Sequence, residues 1–385
     1  MHVYNSAMPE APGELLGGLS AREFLREFWQ KRPLLVRRAL PGLRGAPGLD
    51  ALFRLAARDD ADARLVERLP RGWRVSQAPL ERARLVSVRS PRWTLLVHDL
   101  ELRVPAAQRL LRRFAFLSWA RLDDVMASYA TAGGGVGPHF DSYDVFLVQG
   151  PGRRRWRLAR PRRWRLKRNA PLKLIEGFRA EVECVLEPGD MLYLPPGWGH
   201  DGVALEPCLT WSIGARAPHA TEFASGFLDY LQEHRLPAGS YRDPGRAPAG
   251  QPGRIDTAML RYAEATLARL RWTRADVAEA LGEHLSTPKP HVFFAPPRQP
   301  LARARFRRRL ASDNVRLDPR TRLLWHAGRF FVNGDGFAPP AGARAALVSL
   351  ADQRWLEGVH LARGRLADLV FDWYRRGWLA LERNP

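Results

Sequence analysis

The sequence lacks the features that mark secreted and membrane proteins. Only two of its 385 residues are cysteine, Cys184 and Cys208, which is too few for a disulfide framework in a chain of this length. No apolar run approaches the roughly 20 residues of a membrane-spanning helix, and no cationic, apolar leader follows Met1. We therefore expect a soluble, cytoplasmic protein with two buried, unreactive thiols and no membrane partner.

Lysine and acidic residues are also scarce. Only four of the 61 cationic residues are lysine, and the 40 acidic residues leave a formal net charge of +21. Such an excess of positive charge favours an acidic partner such as RNA, but this attraction does not distinguish one RNA sequence from another. The charge is concentrated at residues 153–168, with ten cations and no acid, and at residues 303–309. Alternatively, both clusters are solvated faces without a partner.

Apolar periodicity predicts a mainly β first domain over residues 1–218. An early amphipathic helix carries Phe24, Leu25 and Phe28 on one face. From residue 124 to 213, apolar runs of strand length alternate with glycine and proline turns. This pattern is typical of an antiparallel barrel or jelly roll.

The composition changes near Pro218. Residues 219–290 hold helical runs around a proline- and glycine-rich connector, and they predict a helical segment. Residues 291–385 contain an apparent pair of strands with a turn, followed by helices at 341–353 and 363–377. This order is compatible with a small winged-helix-like domain.

A histidine and an aspartate lie two residues apart after a glycine run, in GGGVGPHFDSYDVF. In a strand, residues two apart point to the same face, so His139, Asp141 and Tyr143 would face one way. Histidine with a carboxylate is a metal-ligand combination. Alone, this pair is weak evidence for a metal site, because such triplets arise by chance between polar loop residues.

A second motif, EPGDMLYLPPGWGHDG, favours the metal interpretation because it ends in His200. Its spacing resembles the cupin motif that returns a histidine to the mouth of a β-barrel. His139, Asp141 and His200 would form a two-histidine, one-carboxylate set, which suits non-haem Fe(II). Structural zinc would require four protein ligands that leave no coordination position open, and these usually include cysteine.

The open positions of such a metal require a co-substrate, and 2-oxoglutarate would need a cation inside the barrel for its distal carboxylate. Across the turn at 150–152 lies a basic strand, which we expect to pair with the strand before the turn. Alternation then points Arg154 and Trp156 inwards and their neighbours outwards. Arginine binds carboxylates bidentately and stays charged. The alternative is a wholly exposed basic strand.

Upstream, DDVMASYA places Asp124, Met126, Ser128 and Ala130 on one face of a strand. If that face lines the barrel, Asp124 is an inward carboxylate and requires a cationic partner. That partner is either an internal arginine or a cationic substrate.

The chain is similar to the bacterial JmjC-type ribosomal oxygenases, which hydroxylate residues of ribosomal proteins. The likeness covers the whole chain in outline, with specific motifs at about residues 20 to 220. It is carried by FWQKRPLLVRRA, DDVMAS, GGGVGPHFDSYDVFLVQGPGRRRWR, EPGDMLYLPPGWGHDG and SIGARAP.

The resemblance implies a catalytic domain of the JmjC or cupin type, a jelly-roll double-stranded β-helix. It implies Fe(II) bound by His139, Asp141 and His200, with dioxygen and 2-oxoglutarate as co-substrates. Arg154 would bind the distal carboxylate of 2-oxoglutarate, and Ser128 would be a second co-substrate contact.

The resemblance also implies the substrate, the β-carbon of an arginine in the large-subunit ribosomal protein L-sixteen (uL16). Asp124 would hold the guanidinium, Met126 and Tyr143 would clamp the aliphatic part, and Ser212 would be a further substrate contact. The family architecture adds a helical dimerisation segment, hence a homodimer, and a C-terminal winged helix.

Two alternatives stay open. The oxygenase could act on a histidine or a methyl-lysine of another protein, or the chain could be a non-catalytic, basic ribosome-assembly factor on a cupin scaffold. The remaining histidines lack ligand-like spacing, and we interpret them as structural or surface residues: His98, His219, His234, His284, His291, His326 and His360.

Overall fold

Before residue 217 more residues lie in strands than in helices, and after it more residues lie in helices than in strands. The structure is a computed structural model and describes residues 2–5, 15–43, 45–81 and 91–383. It consists of two compact units, Met1–Ala217 with Pro290–Phe293 and Pro218–Lys289 with Phe294–Pro385. The helices that the sequence predicts after Pro218 therefore group with the C-terminal residues.

A large, mostly antiparallel sheet forms one layer of the first unit. The described strands of this unit are β1 (His2–Asn5), β2 (Leu34–Arg37), β3 (Ala63–Arg68), β4 (Trp73–Gln77), β5 (Trp93–Val97), β6 (Leu122–Ala130), β7 (Asp144–Gln149), β8 (Arg154–Ala159), β9 (Val182–Leu186), β10 (Met191–Leu194), β11 (Gly199–Ala204) and β12 (Cys208–Ala215). The large sheet has the order β1-β2-β10-β7-β12-β6-β5-β3-β4. Only its first pair, β1 with β2, is parallel.

A smaller sheet, β11-β8-β9, forms the second layer. Its Trp156, Leu158 and Leu186 belong to the same buried cluster as Leu147 and Leu192 of the large sheet. The alternation of strands puts these apolar side chains between the layers. The result is the two-layered jelly roll that the sequence predicts.

The predicted pairing of the basic strand with the strand before it is wrong. Strand β7 lies between β10 and β12, whereas β8 lies between β11 and β9. The connecting turn carries the chain from one sheet to the other through Gly152, which has φ +75°. A Cβ on Gly152 would lie 2.3 Å from the carbonyl oxygen of Pro207, so this crossing requires glycine.

The first helix packs its aromatic face against the core of the first unit. Phe24 and Phe28 are fully buried and their rings stack at 6.3 Å. Leu25 was predicted on the same face but is 37% exposed, because it is turned by about 100° from Phe24 around the helix axis. The α-helices of this unit that lie wholly within the described residues are α1 (Ala21–Glu27), α2 (Leu49–Ala56) and α3 (Pro105–Arg112).

The second unit combines six described helices with two three-stranded sheets. The helices are α4 (Ala220–His234), α5 (Thr257–Leu267), α6 (Arg274–Ser286), α7 (Arg303–Leu310), α8 (Arg344–Gln353) and α9 (Gly364–Arg375). The strands are β13 (Asn314–Leu317), β14 (Leu323–His326), β15 (Arg329–Val332), β16 (Asp335–Phe337), β17 (Trp355–Glu357) and β18 (Leu379–Glu382). They form the sheets β17-β13-β18 and β14-β15-β16.

The segment predicted as two strands and a turn forms three strands, since Gly334, at φ +98°, allows a second tight turn. The two helices predicted after it correspond to α8 and α9. Within the described part of the chain, no helix is both long and apolar enough to cross a membrane.

Candidate active site

A cavity of about 440 Å³ in the first unit is lined by side chains from both of its sheets. Strands β5, β6, β7 and β12 contribute from the large sheet, and β8 and β11 from the small one. All nine site residues suggested by the sequence line this cavity: Asp124, Met126, Ser128, His139, Asp141, Tyr143, Arg154, His200 and Ser212.

His139, Asp141 and His200 meet at one point of the cavity wall. Each offers one ligand atom, and these atoms lie within 4.8 Å of one another. The Nε2 atom of His200 is 3.5 Å from Oδ2 of Asp141. Two backbone hydrogen bonds, His139 N–H to the His200 carbonyl at 2.9 Å and the reverse at 2.8 Å, hold the histidines side by side.

Backbone contacts also set the tautomer of both imidazoles. The Nδ1–H group of His139 donates to the Gly137 carbonyl at 2.9 Å, and that of His200 donates to the Trp198 carbonyl at 3.0 Å. Both Nε2 lone pairs are therefore free for a metal. Burial, together with the neighbouring His139, lowers the pKa of the His200 imidazole, which keeps this ligand neutral.

The glycine run before His139 allows the chain to approach its neighbours closely. A Cβ on Gly135 would lie 2.4 Å from the Gly202 carbonyl oxygen, and a Cβ on Gly137 would lie 2.7 Å from Leu174. His139 itself lies in an isolated bridge, and β7 begins only at Asp144. The H-x-D ligands thus converge through a constrained loop rather than through the regular strand that the sequence suggested.

Arg154 is a buried cation without a described carboxylate partner. It is 3% exposed, and its Nη1 donates to the Ser128 hydroxyl at 2.9 Å. Its Nε has no hydrogen-bond partner among the described residues. Since an uncompensated buried charge is costly, the cavity floor around Arg154 is suited to an anionic ligand with a carboxylate.

The partner of Asp124 is a histidine. Asp124 is 8% exposed, and its Oδ2 lies 3.0 Å from Nδ1 of His98. Among the described residues, no arginine forms an ion pair with Asp124, so its internal partner is His98 and not the arginine considered above. Burial alone lowers the pKa of His98, but the hydrogen bond and charge of Asp124 outweigh it and raise this pKa overall.

His98 had been interpreted as an ordinary structural or surface residue, and this was wrong because it lines the cavity. The stretch WTLLVHDL carried the signal: period-two alternation puts Thr94, Leu96 and His98 on one face. All three line the cavity. Thr94 is fully buried, and its hydroxyl has no hydrogen-bond partner in the described part of the chain.

Three further residues line the cavity near Asp124. Ser212 is opposite Met126 in the β12–β6 register and is 6% exposed. Tyr143 is 38% exposed, although burial of its hydroxyl and the charge of Asp141 raise its pKa. A thioether, a phenol and a hydroxyl thus line the same cavity as the carboxylate of Asp124.

Two family models match the chain. A JmjC domain matches residues 109–223, and a ROXA-like winged helix matches residues 269–380. The JmjC range contains all nine site residues. Together with the two-layered jelly roll, these matches confirm the predicted fold class.

Characterised relatives agree with the domain matches. The ribosomal protein uL16 3-hydroxylase of Escherichia coli is 35% identical over 281 residues, covering 72% of this chain and 74% of the relative. A probable ribosomal oxygenase of Haemophilus influenzae is 37% identical over 210 residues, covering 53% of this chain and 51% of the relative.

The fold is also that of a solved structure. A crystal structure of E. coli YcfD superposes with a TM-score of 0.82 at 30% identity, covering 94% of this chain and 98% of that one. YcfD, a ribosomal oxygenase, has further been solved in complex with cobalt and 2-oxoglutarate, and that structure superposes with a TM-score of 0.79. The chain therefore belongs to the JmjC ribosomal oxygenase family.

Proposed function

We propose that this chain is an Fe(II)- and 2-oxoglutarate-dependent protein hydroxylase. Its substrate is the β-carbon of an arginine in ribosomal protein uL16, and it acts in the cytoplasm. One oxygen atom of dioxygen enters the substrate C–H bond as a hydroxyl, and the other enters succinate as 2-oxoglutarate loses carbon dioxide. The observation that carries this proposal is a His-Asp-His set and a buried, unpaired arginine lining the same cavity.

The donor set fits iron. His139, Asp141 and His200 supply two imidazole nitrogens and one carboxylate, with both Nδ1 atoms already bound to backbone carbonyls. Two histidines and one carboxylate leave coordination positions open for co-substrates. When bound there, Fe(II) supplies the dioxygen chemistry that no amino-acid side chain performs.

Arg154 and Ser128 would bind the distal carboxylate of 2-oxoglutarate. The Nη1 and Nη2 atoms of Arg154 contact Ser128, which holds the guanidinium plane, while its Nε lacks a partner. A guanidinium in this position can donate two hydrogen bonds to a carboxylate. The bound anion would compensate the buried positive charge.

Asp124 would hold the guanidinium of the substrate arginine, with Met126 and Tyr143 against its aliphatic part and Ser212 as a further contact. A carboxylate already oriented by His98 favours a cationic side chain over a neutral histidine. By holding the guanidinium away from the metal ligands, Asp124 would present the β-carbon instead of a nitrogen to the reacting centre.

The proposal includes a homodimer formed through residues 219–290. Large apolar side chains on α4 and α5 are exposed, including Leu228 at 65%, Leu260 at 53% and Leu267 at 67%. Monomeric proteins rarely expose so many large apolar side chains in one segment. The same proposal divides the chain into domains at 1–218, 219–290 and 291–385. It also places the basic segment 153–168 close to ribosomal RNA.

Replacement of Asp124 by asparagine should separate substrate hydroxylation from co-substrate use. Loss of a charged hydrogen bond of about 1.5–3 kcal/mol should lower kcat/KM for a uL16 arginine peptide roughly 10- to 100-fold. Peptide-independent succinate formation should stay within about twofold. The matched control is Asp123→Asn, next in sequence but ion-paired with Arg216. An equal fall in both activities of Asp124→Asn would assign this residue to the iron site or to folding.

Replacement of Arg154 by methionine should abolish co-substrate binding without destabilising the ligand-free protein. Removal of a buried, unpaired charge is neutral or stabilising, so the Tm without 2-oxoglutarate should not fall. The rise in Tm that 2-oxoglutarate causes in the wild type should disappear, and KM for 2-oxoglutarate should increase by about 100-fold or more. Arg155→Met, on the opposite face of β8, is the control. This role would be refuted by an Arg154→Met variant that has a lower Tm than the wild type but still shows the rise in Tm caused by 2-oxoglutarate.

Paired substitutions on α5 test the dimer. Leu260→Glu together with Leu267→Glu should convert a dimer into a monomer, because charges are not tolerated at an apolar interface. Light scattering coupled to size exclusion measures the mass. Leu205→Glu, at a residue 40% exposed in the first unit, should leave the dimer intact. A monomeric wild-type protein at micromolar concentration would contradict the proposal.

A further inference from the structure

A second cavity, of about 550 Å³, lies next to the active site in the first unit. The two cavities share Gly135, Pro171 and Leu174 in their walls. The loop from residue 68 to 73 and the loop around residue 168 provide most of the remaining lining. None of the nine site residues lines it.

This second cavity is strongly cationic. Arg68, Arg71, Lys167 and Arg168 line it, and all four are exposed. None of them has a carboxylate within 4 Å among the described residues. The acidic residue described in its wall, Asp201, is 3% exposed and already forms an ion pair with Arg157. The cavity therefore carries uncompensated positive charge, and it is suited to a polyanion.

Aromatic rings accompany the cations. The Arg68 guanidinium lies 5.8 Å from the ring of Trp73, which lines the cavity. Further along the same basic segment, the Arg162 guanidinium lies 4.6 Å from the ring of Trp164. Cationic grooves with interspersed aromatic side chains bind single-stranded or looped RNA through phosphate contacts and base stacking.

The hydroxylation substrate is not the occupant of this cavity. The active site presents a carboxylate, Asp124, and selects a cationic side chain, whereas the neighbouring cavity repels cations. An acidic peptide would satisfy the charge but not the arginine–tryptophan pairs. Exposed Arg163 and Arg165 follow in the same segment of the chain and offer further cations for phosphate groups.

We propose that this cavity binds the sugar–phosphate backbone of RNA. It would hold a segment of ribosomal RNA beside the active-site cavity while a ribosomal protein is hydroxylated. The choice of ribosomal RNA rests on the proposed function, whereas RNA binding itself depends only on the cavity. Arg68, Arg71, Lys167 and Arg168 would contact phosphates, and Trp73 would stack on a base.

The test compares two variants that remove the same number of positive charges. The cavity variant is Arg68→Gln, Arg71→Gln, Lys167→Gln and Arg168→Gln. The control variant replaces four exposed arginines on or directly after helices of this unit, also without a described carboxylate within 4 Å: Arg22→Gln, Arg54→Gln, Arg109→Gln and Arg113→Gln. Fluorescence anisotropy with a labelled RNA hairpin gives Kd as a function of salt concentration.

The cavity variant should raise Kd at least about tenfold and lower the slope of log K against log salt by about three units. The control variant should change Kd by less than about twofold. Equal losses in both variants would overturn the proposal, because binding would then reflect diffuse charge. Displacement of the hairpin by polyglutamate more readily than by unlabelled RNA would assign the cavity to an acidic protein and would also overturn it.

Turnover of a uL16 arginine peptide, measured in parallel, separates this proposal from the proposed function. Both variants should hydroxylate the free peptide at the wild-type rate, which also shows that they fold. Wild-type protein that binds RNA through the cavity but never hydroxylates the peptide would refute the proposed function alone. Full peptide turnover with unchanged RNA affinity of the cavity variant would refute the RNA site alone.

Discussion

Two backbone hydrogen bonds between His139 and His200 are the contacts on which the rest of the site depends. They join the glycine-rich loop before β7 to β11, and so join the large sheet to the small one at the metal ligands. The close approaches of Gly135 and Gly137 allow the loop to reach this position. Because both imidazoles then donate Nδ1–H to backbone carbonyls, the backbone fixes ligand orientation before any metal binds.

The cavity beside these ligands has two buried charges of opposite sign that do not neutralise each other. Arg154 is held by a hydroxyl and Asp124 by a histidine. Direct pairing of the two would have given a stable but inert core. Their separation leaves one site for an anion and one for a cation, as the proposed dicarboxylate co-substrate and the proposed arginine substrate would require. The second cavity would also select its ligand by charge, because its four exposed cations have no carboxylate within 4 Å among the described residues.

Much of this site could be predicted because period-two alternation and the two short motifs depend only on residues that are close together in the sequence. They placed eight of the nine site residues that line the cavity, while Ser212 came from the family resemblance. The strand lengths and turns predicted an antiparallel barrel or jelly roll. The pairing of β8 with β7 was wrong, because consecutive strands were assumed to be neighbours and the crossing at Gly152 depends on contacts distant in sequence. His98 was not predicted as a site residue because it lacks metal-ligand spacing, although the alternation in WTLLVHDL places it with Thr94 on one face.

The most direct test of the central claim is intact-protein mass spectrometry of ribosomal proteins from a deletion strain. The strain is complemented either with the wild-type gene or with His139→Ala, which removes one metal ligand and leaves the exposed surface unchanged. We predict that uL16 gains one oxygen with the wild-type gene only, and that fragmentation places it on an arginine side chain. Identical masses of every ribosomal protein in the two strains would contradict the account.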